Sequence, residues 1–111
     1  MKEEINFKDW ERLDLRIAKV LKVEEIEGAD KLYKLTLDVG DLGKRIVCAG
    51  IKNNYSIKDL KGKQVVYLAN LKARMLKGVE SKGMILAASN DDHSEIILLS
   101  VEDAKEGWGV S

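Results

Sequence analysis

The chain has 111 residues, 45% of them hydrophobic and 34% charged, and its 19 basic and 19 acidic residues cancel. That length fits one domain with one core, burying roughly two thirds of the unfolded surface without a disulfide framework. The single cysteine, Cys48 in the apolar run RIVCAG, reads as a buried small hydrophobe suited to a reducing cytoplasm, the charged opening MKEEINFKDWERLD does not resemble a signal peptide, and no apolar run approaches membrane-spanning length.

In chain order, INFKDWERLD predicts a short helix, with Asn6 as N-cap and Phe7, Trp10 and Leu13 at helical spacing. Leu13, Leu15 and Ile17 then alternate on towards Leu21 and Val23, while Ala18 and Val20 fill the other face around Lys19, as in a long first strand with a bulge. KLYKLTLDVG alternates Tyr33, Leu35, Leu37 and Val39 against polar residues and predicts a half-buried second strand, which GDLGK turns into a third near Arg45 to Ala49. SIKDLKG follows, a single helical turn capped by Ser56 and ended by Gly62. KQVVYLANL is a fourth strand apolar on both faces, GMILAAS a fifth, and SEIILLS a sixth after the turn at Asn90, Asp91 and Asp92.

With no proline, linker or repeat, residues 1–111 form a single unit, a core of about 13–89 with terminal extensions 1–12 and 90–111. Five short strands, the first long and bent, with a small helix between the third and fourth, describe an all-β, five-stranded OB-fold barrel. An SH3-like barrel is the nearest competitor, and the helix before the fourth strand favours the OB arrangement. The initial methionine and a complete barrel favour a free-standing protein over a synthetase fragment.

The cancelled net charge conceals a segregation. Between Leu42 and Val79 stand Lys44, Arg45, Lys52, Lys58, Lys61, Lys63, Lys72, Arg74 and Lys77 against Asp59 alone, nine minus one or +8, which leaves −8 for the remainder. One basic region on an acidic molecule steers polyanions while limiting indiscriminate adhesion. Catalysis finds no support: the only histidine, His93, lies in the polar turn NDDHSE, where Asp91, Asp92 and Glu95 lack the spacing of a metal loop, and no glycine-rich phosphate loop opens a helix. Neither a cofactor nor a metal is expected.

NLKARMLKG, Asn70 to Gly78, places three cations just after the most hydrophobic strand. In an extended chain Lys72 and Arg74 share one face, with Leu71, Ala73 and Met75 turned towards the barrel. Asn70 has donors and an acceptor for backbone, phosphate or base edge. Aromatic residues are scarce in this region, so contact with the backbone and shape of a folded RNA is a better fit than base stacking. At the ends of the chain, Phe7, Trp10, Ile96, Leu98 and Trp108 offer more apolar surface than one small barrel covers, which predicts a homodimer interface.

LDLRIAKVLKVEEIEGADKLYKLTLDVG, followed by RIVCAGI, GKQVVYLANLKARMLKG and ESKGMILAAS, closely resembles the structure-specific tRNA-binding domain. That domain occurs as a small stand-alone protein, as the C-terminal dimerisation domain of methionyl-tRNA synthetases, and in cytokine-like domains attached to synthetase complexes. The resemblance runs in order from about Leu13 to Ser89. It implies an OB-fold that binds the outer corner of the L-shaped tRNA by shape, without catalysis, assisting a synthetase of the methionyl type in cis or in trans. Carried over by position, the tRNA-contacting residues are Asn70, Lys72, Arg74, Lys77, Ser81, Lys82 and Met84, with Lys31 of the ADKL element beside them. Ala73 replaces the family's usual proline, Met75 a commonly basic residue, and Glu27-Gly28 the frequent His-Pro pair, so affinity is expected below that of relatives. tRNA, a second copy of the chain and methionyl-tRNA synthetase are the implied partners, and DNA is not. The alternative is a dimeric peptide-binding chaperone of the secretion type, which shares the barrel.

Overall fold

The computed structural model describes residues 1–111. Its longest element is β1 (Leu15–Glu25), which pairs antiparallel with β2 (Tyr33–Asp38) and β4 (Gln64–Leu68). The β1–β2 register shifts between Val20 and Lys22. A one-residue slip exchanges the two faces of a strand. Val20 and Val23, of opposite parity, therefore both reach the core, while Leu15 and Ile17 lie on the reverse face. The sequence pattern points to this bulge but places it around Lys19.

The rest of the main sheet follows the alternation. Tyr33, Leu35 and Leu37 of β2 and Val47 and Ala49 of β3 (Lys44–Ala49) are buried, and the two strands pair from Tyr33 with Ala49 to Asp38 with Lys44. Between β3 and β4 lies α2 (Ile57–Leu60), where the Ser56 hydroxyl accepts the Asp59 N–H at 3.1 Å and Leu60 is wholly buried in the core. The N-terminal α1 (Phe7–Glu11) forms where expected, although the Asn6 side chain makes no capping bond.

The fold is all-β, but its ladders do not describe a closed five-stranded barrel. The principal sheet has six strands in the order β10-β4-β1-β2-β3, with β7 (Met84–Ile85) also on β4 and β10 being Ser100–Val101. Two further hairpins stand apart, β5 (Arg74–Leu76) with β6 (Val79–Ser81) and β8 (Ala87–Ser89) with β9 (Ile96–Leu98). GMILAAS is thus two strands, interrupted at Leu86, whose N–H bonds to Val66 and whose side chain packs on the reverse face of the sheet. No ladder joins edge strand β3 to the β4 side. Two single bonds span that gap, Lys82 N–H to the Ile46 carbonyl at 2.8 Å and Cys48 N–H to the Ser81 hydroxyl at 2.9 Å.

β4 and the first half of β1 are covered on both faces. One faces the main core; the other carries Leu15, Ile17 and Val66, covered by Trp10, Ala104 and Val110 from the end segments and by Leu86 from between β7 and β8. The C-terminal segment is tied to β1 by Ile17 N–H to Trp108 at 2.8 Å, Gly107 N–H to Ile17 at 2.7 Å and Val110 N–H to Leu15 at 2.8 Å. The last residues therefore take part in the sheet. No helix is long and apolar enough to cross a membrane.

Gly83 locks the chain where it returns to β4. Its φ is +85°, and a methyl group there would overlap the Leu68 carbonyl and the Tyr67 ring. Gly83→Ala is expected to lower unfolding free energy by about 2–4 kcal/mol, from left-handed strain plus the backbone clash, as read by chemical denaturation.

Candidate nucleic-acid interface

The cation-rich stretch that follows β4 folds as a hairpin. Leu76 pairs with Val79, so Lys77 and Gly78 alone make the turn, with φ of 49° and 81°. Two positive φ values give the type I′ turn, whose twist suits a tight hairpin. Glycine adopts that geometry freely, whereas a lysine there costs roughly 1–2 kcal/mol relative to a right-handed conformation. A strained cation at an exposed tip directs attention to a functional use.

Pairing also decides which side chains face the molecule. Arg74 lies opposite Ser81 and Leu76 opposite Val79, on the side where Ser81 holds the Cys48 N–H of β3. Met75 pairs with Glu80 on the other side and is 65% exposed, and Leu71 is 41% exposed. The expectation that Leu71 and Met75 face the barrel is therefore overturned. Hairpin pairing inverts the faces assumed for a single extended loop.

A groove of about 550 Å³ separates this hairpin from β2 and β3, lined by Lys34, Lys44, Arg45 and Lys82 with Glu80 as its one acid. Arg74 borders the same region. Burial pushes the Cys48 thiol pKa up, and the positive charges of Lys34 and Arg74 pull it partly back. Of all these cations only Lys82 has a carboxylate within ion-pairing distance, Glu80 at 3.6 Å.

The remainder of the basic window behaves differently. Lys61 and Lys63 border another depression together with Lys19, but there Asp59, Glu102, Asp103 and Glu106 balance them. Lys52 pairs with Glu25 at 2.8 Å, and the Lys63 ammonium lies 6.0 Å from the Tyr55 ring centre. The +8 segment thus divides into a compensated group near α2 and an uncompensated one around the hairpin.

Several residues expected to contact RNA have other duties. The Asn70 amide is used at both ends, accepting the Asp14 N–H at 2.9 Å and donating to the Arg12 carbonyl at 2.6 Å, so it ties the end of β4 to the chain following α1. Ser81 is buried at 4% exposure and spends its hydroxyl on Cys48. Lys31, Lys72, Arg74, Lys77 and Lys82 are exposed, as is Met84, which pairs with Leu68 of β4. Lys34, Lys44 and Arg45 are the cations that the motif reading missed. Alternation along β2 and β3 puts Lys34 and Lys44 on the polar face, but only folding brings the hairpin opposite them.

No stacking platform accompanies the charges. Tyr33 donates to the Tyr55 carbonyl, the Tyr55 hydroxyl accepts the Leu98 N–H, and Tyr67 donates to the Lys82 carbonyl. Trp10 packs on the second cluster. The turn at 90–94 is bound internally, with Asp92 accepting the Ser94 N–H and Asn90 the Glu95 N–H.

Around the end segments, Phe7 and Trp108 are exposed, as are Ile97 and Leu99. Leu98 belongs to the main core and Ile96 packs against it. The outward apolar row of this strand is therefore Ile97 and Leu99, because the strand enters the core with the opposite parity from that expected.

A family model described as "Putative tRNA binding domain" matches residues 15–108. Methionine–tRNA ligase of Dichelobacter nodosus is 55% identical over 110 residues, which make up 99% of this chain and 16% of that protein. The chain thus spans about a sixth of the length of the curated relatives it matches (16%). Among solved structures, a MetRS related protein from Pyrococcus horikoshii superposes with a TM-score of 0.92 at 30% identity, covering 99% of this chain and 100% of that one. The chaperone CsaA of Bacillus anthracis str. Ames gives 0.89 at 29% identity, covering 98% of this chain and 100% of that one.

Asn70→Ala is expected to lower stability by about 1 kcal/mol, since it removes two hydrogen bonds whose exposed backbone partners turn to water. Asn70→Asp retains the acceptor for Asp14 but sets a carboxylate against the Arg12 carbonyl. If Asn70→Asp unfolds in denaturant like the unmodified chain, the clamp is refuted.

Proposed function

Because the chain belongs to the tRNA-binding domain family, we propose that it binds folded tRNA through the β5–β6 hairpin and the basic groove behind it, as a non-catalytic module. The observation that carries this reading is the cluster of uncompensated cations: Arg74 and Lys77 on the hairpin, and Lys34, Lys44 and Arg45 across the groove. Cations without aromatic platforms contact phosphates, and phosphate contacts follow the trajectory of the RNA backbone with little dependence on base identity. The outer corner of the tRNA, presented by shape, is the surface such a site would read. Held beside a synthetase of the methionyl type, in cis or in trans, the module raises the effective concentration of tRNA at the catalytic domain. The setting is cytoplasmic, and duplex DNA is not a substrate.

The module acts as a homodimer in this reading. Phe7, Ile97, Leu99 and Trp108 expose apolar area near the end segments that a second copy would cover. Likeness to CsaA supports a second reading, in which that apolar surface receives peptides. Salt dependence separates the two: phosphate contacts release counterions and weaken steeply with salt, whereas apolar contacts do not.

Arg74→Ala and Lys77→Ala should each weaken binding to folded tRNA and make the log–log salt slope shallower by about 0.7–0.9. Unchanged affinity in both removes the hairpin from the interface, and equal binding of folded tRNA, heat-unfolded tRNA and duplex DNA reduces it to a general polyanion patch. Ile97→Lys is expected to convert a dimeric mass to a monomeric one in light scattering at micromolar concentration. An unmodified chain already monomeric there contradicts the dimer.

A further inference from the structure

The ladder between β1 and β2 begins only at Lys19 with Asp38, so the edge of β1 from Leu15 to Ala18 has no partner in β2. The C-terminal segment fills it. Ile17 donates to the Trp108 carbonyl at 2.8 Å and its own carbonyl accepts the Gly107 N–H at 2.7 Å, while the Leu15 carbonyl accepts the Val110 N–H at 2.8 Å, an antiparallel pairing about Arg16 and Gly109. Where β2 turns away, Gly40 and Gly107 stand against each other with φ of +61° and +90°. A methyl group on Gly40 would overlap the Glu106 carbonyl, and one on Gly107 would lie 3.0 Å from the Val39 carbonyl.

Polar bonds hold this segment far more than burial does. The Gln64 amide grips Ala104 at both ends, donating to its carbonyl at 2.6 Å and accepting its N–H at 3.1 Å, and Arg16 reaches the Gly107 carbonyl at 3.4 Å. From Leu99 to Ser111 no residue is buried, and none of the four ion pairs includes a residue of the segment. Beneath it Leu15, Ile17 and Val66 are 8%, 5% and 8% exposed, with Ala104 and Val110 among their covers. A segment fastened by hydrogen bonds that water can replace opens at lower free energy than a strand carrying the core. An open strand edge with apolar side chains beside it is a template for another extended chain.

We infer that residues 104–111 are a releasable strap that closes, in cis, a strand-addition site along Leu15–Ala18, and that an extended peptide of the strap's own pattern takes the same seat when the strap is out. The strap defines that pattern. A residue without a side chain is needed where Gly107 passes Gly40 in left-handed geometry, and an aliphatic residue three positions on, at Val110, reaches the second apolar cluster. Between them Trp108 is 55% exposed, which leaves its position open to most side chains. Arg16, bound to Asp14 through Nε at 2.6 Å and Nη2 at 3.3 Å, stays in place to serve an incoming carbonyl as it serves Gly107. The seat shares no residue with the basic groove.

Amide hydrogen exchange of the full chain by ¹⁵N NMR tests the release, because the Ile17 N–H lies within β1 but has its acceptor on the strap. Expected is one common rate for Ile17, Gly107 and Val110, roughly tenfold or more above that of the amides shared between β1 and β4. An Ile17 amide as slow as those overturns the strap. The seat is tested with a synthetic peptide of residues 105–111 on the Gly107→Ala chain, whose strap is unseated by left-handed strain and the Val39 contact. There the peptide should restore Ile17 protection roughly tenfold or more, and it should bind the unmodified chain correspondingly more weakly, since the strap competes and only the open fraction is available. Gln64→Ala, which frees Ala104 without altering the seat, is the second opened chain should Gly107→Ala fail to fold, and the same rescue is expected. The peptide carrying Gly107→Val should not bind. Opened chains in which the peptide leaves Ile17 unprotected, or which take the Gly107→Val peptide equally well, overturn the strand-addition site.

Discussion

Tyr67 is the largest side chain in the molecule to be wholly buried, and its hydroxyl donates to the carbonyl of Lys82, on a part of the chain that no ladder holds. Burial pushes the phenol pKa up, so it remains a donor at any physiological pH. Around this bond gather Gly83, whose positive φ lets the chain pass against the Tyr67 ring, and Ser81, whose hydroxyl holds edge strand β3. Together they fix a crossing between edge strand β3 and the β4 side of the main sheet. The hairpin, its tip lysine and the groove behind it all stand on that crossing.

Once it is fixed, the two faces of the molecule acquire different characters for a packing reason. β4 and the first half of β1 are covered on both sides, by the main core and by residues packed on the reverse face, while charge on β1 collects in its exposed second half at Lys22 and Glu25. β2 and β3 have one open face, and it is there and on the hairpin that the uncompensated cations collect. Apolar residues beyond those needed to cover β1 and β4, such as Ile97 and Trp108, remain at the surface near the chain ends. Charge and apolar area are therefore separated by how the sheet is covered.

Asn70 and Ser81 show why a motif position is not yet a contact. Both lie in the run that resembles the family, and both have side chains able to meet a phosphate. In the fold each is consumed by backbone: Asn70 by Arg12 and Asp14, Ser81 by Cys48. Their polar atoms satisfy groups at the borders of strands, and without them the hairpin base would lose its anchors to the N-terminal chain and to β3. Lys72, Arg74 and Lys77 beside them are exposed, and their long side chains reach solvent instead of a strand border.

The amino-acid sequence by itself determined the all-β class, the bulged first strand, the capped turn before β4 and the presence of a basic region, since each follows from period-two alternation, turn chemistry or composition over neighbouring residues. It also marked Arg74 and Lys77 as cations set on an apolar stretch. The pairing of Arg74 with Ser81, the outward turn of Met75, the parity that sends Leu98 inward and Ile97 outward, and the meeting of Lys34 and Lys44 with the hairpin were decided only by tertiary structure. All four depend on which strands become neighbours and in what register. A one-residue change of register exchanges the two faces, and nothing local to the chain distinguishes the alternatives until a core forms on one side.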